Sequence, residues 1–429
     1  MTIVAITGCL FGLTFVLVSA SSFRRKRWQL NQPFVVFSML FGSIYFLLPA
    51  WQMVSESFRF SSSYDPWAVL LTHAYLLAYW GGAWITFHFF GRKCGEPIGG
   101  HSIGYQGLLV AVCFLLLPGL VAAIYLQLQL PGLGDSGFMA NRISLLRGLG
   151  GWLMMTYLLY GFTTLVAVYL LSQRRVLAKK GVVFTLLLLL AVFVSFRTYY
   201  LLGTRQTMMY PILATMISAS AIGVLGGRRL AIAGSVVAFA FGAMLYMGAT
   251  RMYESATEVE VNYTEQLANA VGNGELLIWN IQNRQSFELI GGGTFVAAAT
   301  SFVPRSVLPD KPLGGGPALM NRIYPGSYAL YMDNVSSITT GLPVEGFMNF
   351  GFIGSVLVGI LHGLAIAWLT RMWPAWSSDA FGHALYGIIF LGLCYTLLTN
   401  EFLGAFMRTT FVAGVIWFTR EVARVASRK

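Results

Sequence analysis

The stretch "TIVAITGCLFGLTFVLVSASSFRRKR", residues 2–27, combines the two features that decide how this chain is organised. Residues 2–20 form an apolar run of the length that an α-helix needs to cross the hydrocarbon core of a bilayer, which is about 20 residues. A basic cluster from Arg24 to Arg27 follows. The run is too long, and too close to this cluster, to resemble a cleaved signal peptide with its small-residue cleavage site. We therefore expect a retained transmembrane helix.

Apolar runs of this kind recur along the whole 429-residue chain. Hydrophobic residues make up 56% of it and charged residues only 10%, which excludes the soluble globular classes. The sequence predicts an all-α polytopic membrane protein with about eleven transmembrane helices. The predicted spans are residues 2–20, 33–51, 66–90, 105–128, 150–171, 181–200, 207–225, 230–249, 346–370, 381–400 and 404–420.

The net charge of +12 is a topology signal rather than the mark of a nucleic-acid-binding protein. Its basic residues cluster in alternate loops, which by the positive-inside rule lie in the cytoplasm. The amino terminus is then outside the membrane and the carboxyl terminus is inside. The clusters are Arg24 to Arg27, Arg92/Lys93, Arg174/Arg175/Lys179/Lys180, Arg228/Arg229, Arg371 and the tail from Arg420 to Lys429.

One long outer segment, residues 250–345, separates two groups of predicted spans, residues 1–249 and residues 346–429. Its first part reads as one or two amphipathic helices on the outer surface. The run "GGGTFVAAATSFV" at 291–303 is too short to cross and is expected to lie at the membrane interface or to re-enter. A loop of this length is usually functional or disordered, and its many aromatic and aliphatic anchors argue against disorder.

Four basic residues on the outer side are candidates for holding a phosphate-bearing ligand. Arg197 lies near the outer end of the sixth predicted span, and Arg205 lies in the turn that begins the seventh. Arg305 and Lys311 come from the proline-braced stretch "SFVPRSVLPDKPLGGG" at 301–316. Guanidinium groups match phosphate oxygens in shape and charge, so these residues predict an anion site. The alternative is that the helix-end arginines reach to lipid headgroups.

Carboxylates at the outer mouth form the complementary set. Glu345 lies where the long loop enters the ninth predicted span. It is the candidate general base, because burial and neighbouring arginines can adjust the pKa of such a carboxyl group. For Asp310, an ion pair with Lys311 or Arg305 that fixes the loop is the expected role.

The remaining chemistry-bearing residues give weaker signals. Neither the five histidines nor the four cysteines show metal-ligand or disulfide spacing, so no metal or other cofactor is expected. The glycines at 314–316 lack the lysine and the serine or threonine of a phosphate-binding loop. They are interpreted as a flexible turn.

The order of these features resembles the Wzy-type oligosaccharide repeat-unit polymerases, which make O-antigen and capsular polysaccharide in bacterial inner membranes. The resemblance covers residues 301–362 most specifically, through "VPRSVLPDKP" and then "SSITTGLPVEGFMNFGFIGSVLVGILHG". The outer turn "RTYYLLGTRQ" at 197–206 adds to it. The resemblance implies a fold like that of the C-type (GT-C) glycosyltransferases, no metal, and an active site that faces the periplasm.

The resemblance also implies substrates, partners and roles. Donor and acceptor would be polyprenyl-diphosphate-linked oligosaccharides drawn from the membrane lipid, with a chain-length regulator and a flippase as protein partners and no nucleic acid. Glu345 would deprotonate the acceptor hydroxyl group, and Arg205 and Arg305 would stabilise the leaving diphosphate. The expected substrate-binding residues are Arg197, Lys311, Asp310, Tyr324, Arg251 and Glu401.

Two alternatives stay open. An O-antigen ligase uses the same donor but passes the glycan to lipid A-core, and span count and loop position hardly separate it from a polymerase. A transporter of lipid-linked sugars would bind the same diphosphate without chemistry. It predicts charged residues within the spans and pseudo-symmetric halves, and neither is evident in this sequence.

Overall fold

The computed structural model describes residues 2–25, 32–91, 105–129, 148–172, 180–201, 205–230, 232–235, 237, 242, 273–301, 303, 307–329 and 338–426. Within these ranges the chain is helical or irregular and contains no strand. The helices between residues 273 and 350 are short, whereas most of the others have the length of a membrane span. The helices are α1 (Thr2–Arg25), α2 (Pro33–Val54), α3 (Pro66–Phe90), α4 (Gln106–Gln129), α5 (Gly150–Ser172), α6 (Lys180–Leu201), α7 (Arg205–Ala221), α8 (Asn273–Gln282), α9 (Gly293–Ala299), α10 (Gly315–Ile323), α11 (Leu342–Phe350), α12 (Ile353–Trp376), α13 (Ala380–Thr399) and α14 (Phe402–Ala426).

The architecture is that of a polytopic membrane protein, as the sequence predicts. Eight helices of the described part are long and apolar enough to cross a membrane, namely α1 to α5 and α12 to α14. The apolar parts of α6 and α7, Val182–Thr198 and Met209–Ala221, are shorter. The predicted span at 230–249 falls largely outside the described residues. A total of eleven therefore stays a prediction.

Helices α3 and α12 pack closely against each other along their length. The sequence "GILHG" of α12 places Gly359 and Gly363 one turn apart on one face. A Cβ atom on either residue would overlap the backbone of α3, at Tyr79 and Ala83 respectively. Small residues at this spacing let two helix backbones approach closely, which is how helices associate in a membrane without a hydrophobic driving force.

A π-helical turn in α13, Gly392–Thr396, is bound to this pair. The Nε2 atom of His362 lies 2.8 Å from the carbonyl oxygen of Leu393 in this turn. Because a carbonyl only accepts, Nε2 donates, and Nδ1 is left to accept from the Tyr79 hydroxyl group at 2.7 Å. The buried histidine thus joins α3, α12 and α13.

Helix α8 lies inside the protein, which corrects the expected amphipathic surface helix over this part of the long loop. Every residue from Asn273 to Ile281 is buried. The only charged residue of this helix, Glu275, is fully satisfied in its buried position. Its carboxylate pairs with the Arg59 guanidinium group at 3.0 Å. It also accepts hydrogen bonds from the backbone N–H groups of Arg59 and Phe60 and from the side chains of Gln52 and Tyr64. These contacts offset the free-energy cost of removing the carboxylate from water, so the helix can lie inside the protein.

The predicted ninth span, 346–370, is divided into α11 and α12. The chain breaks at Gly351, whose φ of 59° and ψ of −141° suit glycine alone. α11 then folds back on α12, and Gly354 lies against the backbone of Gly346 so closely that a Cβ atom would overlap it. Glu345 is therefore carried by a short helix of its own rather than by the span that follows.

An ion-pair cluster lies at the end of the bundle away from Glu345, where α13 begins and α14 ends. Asp379 caps the amino terminus of α13 by accepting from Gly382 N–H at 2.8 Å. Its Oδ2 atom also accepts from Nε and Nη2 of Arg420, at 2.9 and 2.6 Å, and lies 3.6 Å from a guanidinium nitrogen of Arg424. This cluster ties the end of the last helix to the start of α13.

Candidate functional site

Glu345 is positioned by a short helix, α11, whose residues from Leu342 to Asn349 are all buried. α11 begins after Gly341, whose φ of 92° requires glycine, and Pro343 suits its first turn because proline lacks an N–H group to satisfy. Tyr75 donates its hydroxyl hydrogen to the carbonyl oxygen of Pro343 at 2.9 Å. At the other end, Asn349 donates to the Thr294 hydroxyl group at 2.8 Å. These contacts fix α11 between α3 and α9.

The carboxyl group of Glu345 has one well-bonded oxygen and one without a hydrogen bond. Oε1 accepts from the Thr340 hydroxyl group at 2.9 Å and from the backbone N–H of Phe402 at 2.6 Å. Oε2 is buried and makes no hydrogen bond of good geometry, although the Thr294 hydroxyl group lies close enough to lower the pKa of the carboxyl group. Phe402 is the first residue of α14, so Oε1 acts as a helix cap. Capping needs one oxygen only, and a buried polar atom left unsatisfied is uncommon enough to call for an explanation.

Burial raises the pKa of Glu345 from its ordinary value of 4.5 to about 7. The hydrogen bond from Phe402 N–H works in the opposite direction, and the neighbouring Glu401 carboxylate raises the value further. A base with a pKa near neutrality can both accept and release a proton at physiological pH. The carboxyl group therefore suits general base catalysis.

Glu401 is the second carboxyl group of the site, and the glycines at 314–316 join it to the first. Its Oε2 atom accepts from the backbone N–H of Gly316 at 2.9 Å. Gly315 covers Glu345 so closely that a Cβ atom would overlap the carboxyl group, and a Cβ atom on Gly314 would lie 3.1 Å from Glu401 Oε2. The expected flexible turn is wrong for Gly315 and Gly316: these buried glycines begin helix α10 and let its backbone rest on two carboxyl groups.

An apolar groove of about 700 Å³ begins at the same place. It runs between α12, α13 and α14 for about 16 Å, the axial distance from Leu357 to Trp368 on α12. No Asp, Glu, Lys or Arg lines it. Phe402, whose N–H donates to Glu345, lines the end of the groove at the start of α14. The other lining residues are Phe295, Leu342, Phe350, Val358, Leu361, His362, Ala365, Ile389, Gly392, Leu393, Leu397, Ala405, Phe406, Thr409, Thr410 and Ala413.

Arg408 is a site residue that the sequence analysis missed. It lies six residues into α14, a helix of membrane-span length. Its guanidinium carbon is 5.0 Å from the ring centroid of Tyr157 and 4.9 Å from that of Tyr210. Its charge also lowers the pKa of the adjacent Glu401, which burial raises. The signal that could have found it is an arginine inside an apolar span, which by default marks a functional site.

The structure brings together only part of the predicted site. Glu345 and Glu401 meet under α10, whereas Arg197 is exposed on α6 and Asp310 and Tyr324 are exposed in the long loop. Lys311 Nζ donates to the carbonyl oxygen of Val303 at 3.4 Å. Arg205 is the first residue of α7, but its side chain is outside the described part of the structure. Arg251 and Arg305 lie outside the described residues altogether. The roles of these residues stay predictions.

Neither a metal centre nor a family assignment emerges. Among the described residues, no three histidine, cysteine or acidic side chains are grouped as metal ligands. No protein-family model matches the chain, and no curated protein or solved structure is significantly similar to it. The functional argument therefore rests on the geometry around Glu345 and Glu401.

Proposed function

We propose that this protein is a membrane glycosyltransferase that polymerises polyprenyl-diphosphate-linked oligosaccharide repeat units into O-antigen or capsular polysaccharide at the periplasmic face of a bacterial inner membrane. The observation that carries the proposal is a buried carboxyl group with a pKa near 7, Glu345, which accepts a hydrogen bond from the N–H group of Phe402 at one end of an apolar groove. A base for a sugar hydroxyl group and a channel for a hydrocarbon chain are what a lipid-linked sugar substrate needs at one place.

The groove suits the lipid part of such a substrate. Its 16 Å length along α12 is about half the thickness of a hydrocarbon core of roughly 30 Å. An uncharged lining of this kind binds an alkyl or prenyl chain by removing apolar surface from contact with polar groups. The polar part of the substrate would then lie at the level of Phe402 and Glu345.

The chemistry is a substitution at the anomeric carbon of the donor. A hydroxyl group of the acceptor sugar attacks that carbon, and Glu345 takes the hydroxyl proton as the new C–O bond forms. The bond from the anomeric carbon to the diphosphate oxygen breaks, and the polyprenyl diphosphate leaves with the electron pair. Because Glu345 is covered by Gly315, we expect the first turn of α10 to move before the acceptor hydroxyl group can reach Oε2.

The proposal includes a finer architecture. It takes the chain to have eleven spans and a GT-C-like arrangement, with the amino terminus in the periplasm and the carboxyl terminus in the cytoplasm. Basic residues in alternate loops support this orientation. A flippase would supply the substrate and a chain-length regulator would act on the product.

A deletion strain tests the proposal through its surface polysaccharide ladder on a gel. Loss of a polymerase leaves single repeat units attached to their acceptor, whereas loss of a ligase leaves none attached. We expect single units, and we expect Glu345→Gln, expressed at the normal level, not to restore the ladder. The loss of a general base costs about 10²- to 10⁴-fold in rate.

Glu421→Gln is the matched control, because Glu421 lies in the final turns of α14, away from the groove mouth, and pairs only with Arg424 among the described ion pairs. This variant should give the full ladder. A full ladder with Glu345→Gln would overturn the assigned base. A deletion that leaves no glycan attached, or that does not change the ladder, would overturn the polymerase function itself.

A further inference from the structure

Helix α14 has two different faces at its outer half. One face lines the apolar groove through Phe402, Phe406 and Thr409. Glu401, which immediately precedes the helix, and Arg408 are seven residues apart, which is two helical turns, so they share another face. That face points toward Tyr157 of α5 and Tyr210 of α7, the rings beneath the Arg408 guanidinium group. The apolar groove and the Arg408 guanidinium group thus lie on different faces of the helix.

The guanidinium group of Arg408 is held by aromatic rings. Both ring centroids lie within the 6 Å at which a cation is attracted to an aromatic face. Tyr210 is fixed in turn, because Asn400 Nδ2 donates to its hydroxyl oxygen at 3.3 Å. Contact with ring faces orients the plane of a guanidinium group, and its N–H donors lie in that plane. This arrangement prepares the group for a planar, multidentate anion contact.

Arg408 differs in its setting from the other arginines of α14. Arg420 and Arg424 both contact the carboxylate of Asp379 at the opposite end of the helix. The acid near Arg408 is Glu401, whose Oε2 atom is engaged by Gly316 N–H and whose pKa is raised by burial. Arg408 lies about 9 Å along the helix from Phe402, the residue bound to Glu345. It is only partly buried, so a ligand can approach it.

We infer that Arg408 binds the diphosphate of a polyprenyl-diphosphate substrate and stabilises it as the leaving group. The inference rests on the proposed function. The departing diphosphate lies beside Arg408, the lipid of the attacking acceptor lies in the groove, and the anomeric carbon is reached by both substrates at the first turn of α14, where Glu345 binds Phe402 N–H.

Ligand binding to the purified full-length protein in lipid nanodiscs tests this directly. The probes are a long-chain polyprenyl diphosphate, the corresponding polyprenol and inorganic diphosphate, each titrated against the wild-type protein, Arg408→Gln, Arg408→Lys and the control Arg424→Gln. We expect Arg408→Gln to bind the polyprenyl diphosphate about ten- to a hundredfold more weakly while its affinity for polyprenol is unchanged. Arg408→Lys should recover only part of the loss, because an ammonium group lacks the planar fork. Arg424→Gln should bind all probes as the wild type does.

The outcomes separate this inference from the proposed function. If the wild type binds the polyprenyl diphosphate and Arg408→Gln binds it equally well, the inference is wrong and the proposed function stands. Equal weakening for polyprenol and polyprenyl diphosphate would show that Arg408 acts through packing, which also overturns it. Inorganic diphosphate binding as tightly as the lipid-linked form would assign the site to a free anion. If the wild type binds no polyprenyl diphosphate, both proposals fail.

Should Arg408→Gln prove unstable, the double variant Arg408→Gln/Glu401→Gln removes both charges and should show the same selective loss.

Discussion

At the scale of single residues, the sequence indicates the candidate base but not its surroundings. Glu345 stands out because it is an acid at the start of an apolar run. Its contacts with Gly315 and with Phe402 N–H join parts of the chain 30 and 57 positions apart, and no local pattern predicts such contacts. Arg408 could have been found from sequence alone, as a charge inside an apolar span, but only its aromatic neighbours separate it from an arginine that reaches to headgroups.

Activity should depend on pH through Glu345. The base must be ionised to accept the hydroxyl proton, so we expect the polymerisation rate to rise with pH up to about 7, the pKa of its carboxyl group, and to level off above it. Rates of polymer formation by the purified protein between pH 5 and 9 measure this, with Glu345→Asp as the comparison. A rate that is independent of pH from about 5 to 9 would exclude Glu345 as the base.

The same carboxyl group should affect stability with the opposite dependence on pH. Its pKa is raised from 4.5 to about 7 in the folded protein, so the folded state binds its proton more tightly than the unfolded state does. Its contribution to stability is therefore greatest below pH 4.5 and declines as the pH rises through 7. Thermal unfolding in detergent should show that Glu345→Gln, which cannot ionise, loses this decline. This comparison also establishes that the inactive variant is folded.

Gly315 tests how closely α10 must rest on the two carboxyl groups. In Gly315→Ala the new methyl group would overlap the Glu345 carboxyl group, so either the side chain or the first turn of α10 must move. We expect at least about a tenfold loss of polymerisation and a stability loss of about 1–3 kcal/mol, the usual cost of overpacking. Gly414→Ala is the control, because no atom lies within 4 Å of the added Cβ. Equal activities for the two variants would contradict the close contact.

At the scale of helices, the apolar runs predict positions well and interruptions poorly. The predicted spans 66–90, 105–128 and 150–171 agree closely with α3, α4 and α5. The break between α11 and α12 was missed, because hydropathy continues across Gly351 and only the backbone conformation divides the run. Acidic residues interleaved with apolar ones in the first part of the long loop predict surface helices there, whereas Glu275 of α8 finds its partners in a loop more than 200 positions earlier.

Glu275 should determine whether α8 stays inside the protein. Glu275→Gln keeps the side-chain shape but removes the charge that Arg59 and the loop N–H groups bind. Breaking a buried ion pair from one side costs about 3–5 kcal/mol, and we expect a loss near the lower end because the amide can still accept some of these hydrogen bonds. Denaturation in detergent micelles measures it. The exposed Glu288→Gln should change stability by less than about 0.5 kcal/mol, and a similar change for both variants would show that the buried pair is not stabilising.

At the scale of the whole molecule, the proposed function requires a lipid chain to enter the apolar groove. A large side chain within it should block the substrate without damaging the bundle. Ala365 lines the groove on α12, and Leu364 is exposed next to it but does not line the groove. We expect Ala365→Trp to lower polymerisation at least about tenfold and Leu364→Trp to leave it near the wild-type rate. Both variants should unfold at similar temperatures, and full activity of Ala365→Trp would show that the groove is not used.

The orientation of the chain sets which end of the bundle can carry out the proposed chemistry. An outer amino terminus and an inner carboxyl terminus require an odd number of crossings, and α1 to α7 with α12 to α14 supply ten only if the shorter α6 and α7 cross. The eleventh is predicted at 230–249, so the segment before α8 should lie outside. Alkaline phosphatase, which is active only outside, and green fluorescent protein, which fluoresces inside, measure this when fused after residue 229, after residue 255 and at the carboxyl terminus. We expect phosphatase activity at 255 alone and fluorescence at the other two sites. The reverse pattern would place Glu345 on the cytoplasmic side and the Asp379–Arg420 pair outside, where a periplasmic polymerase could not use the carboxyl group.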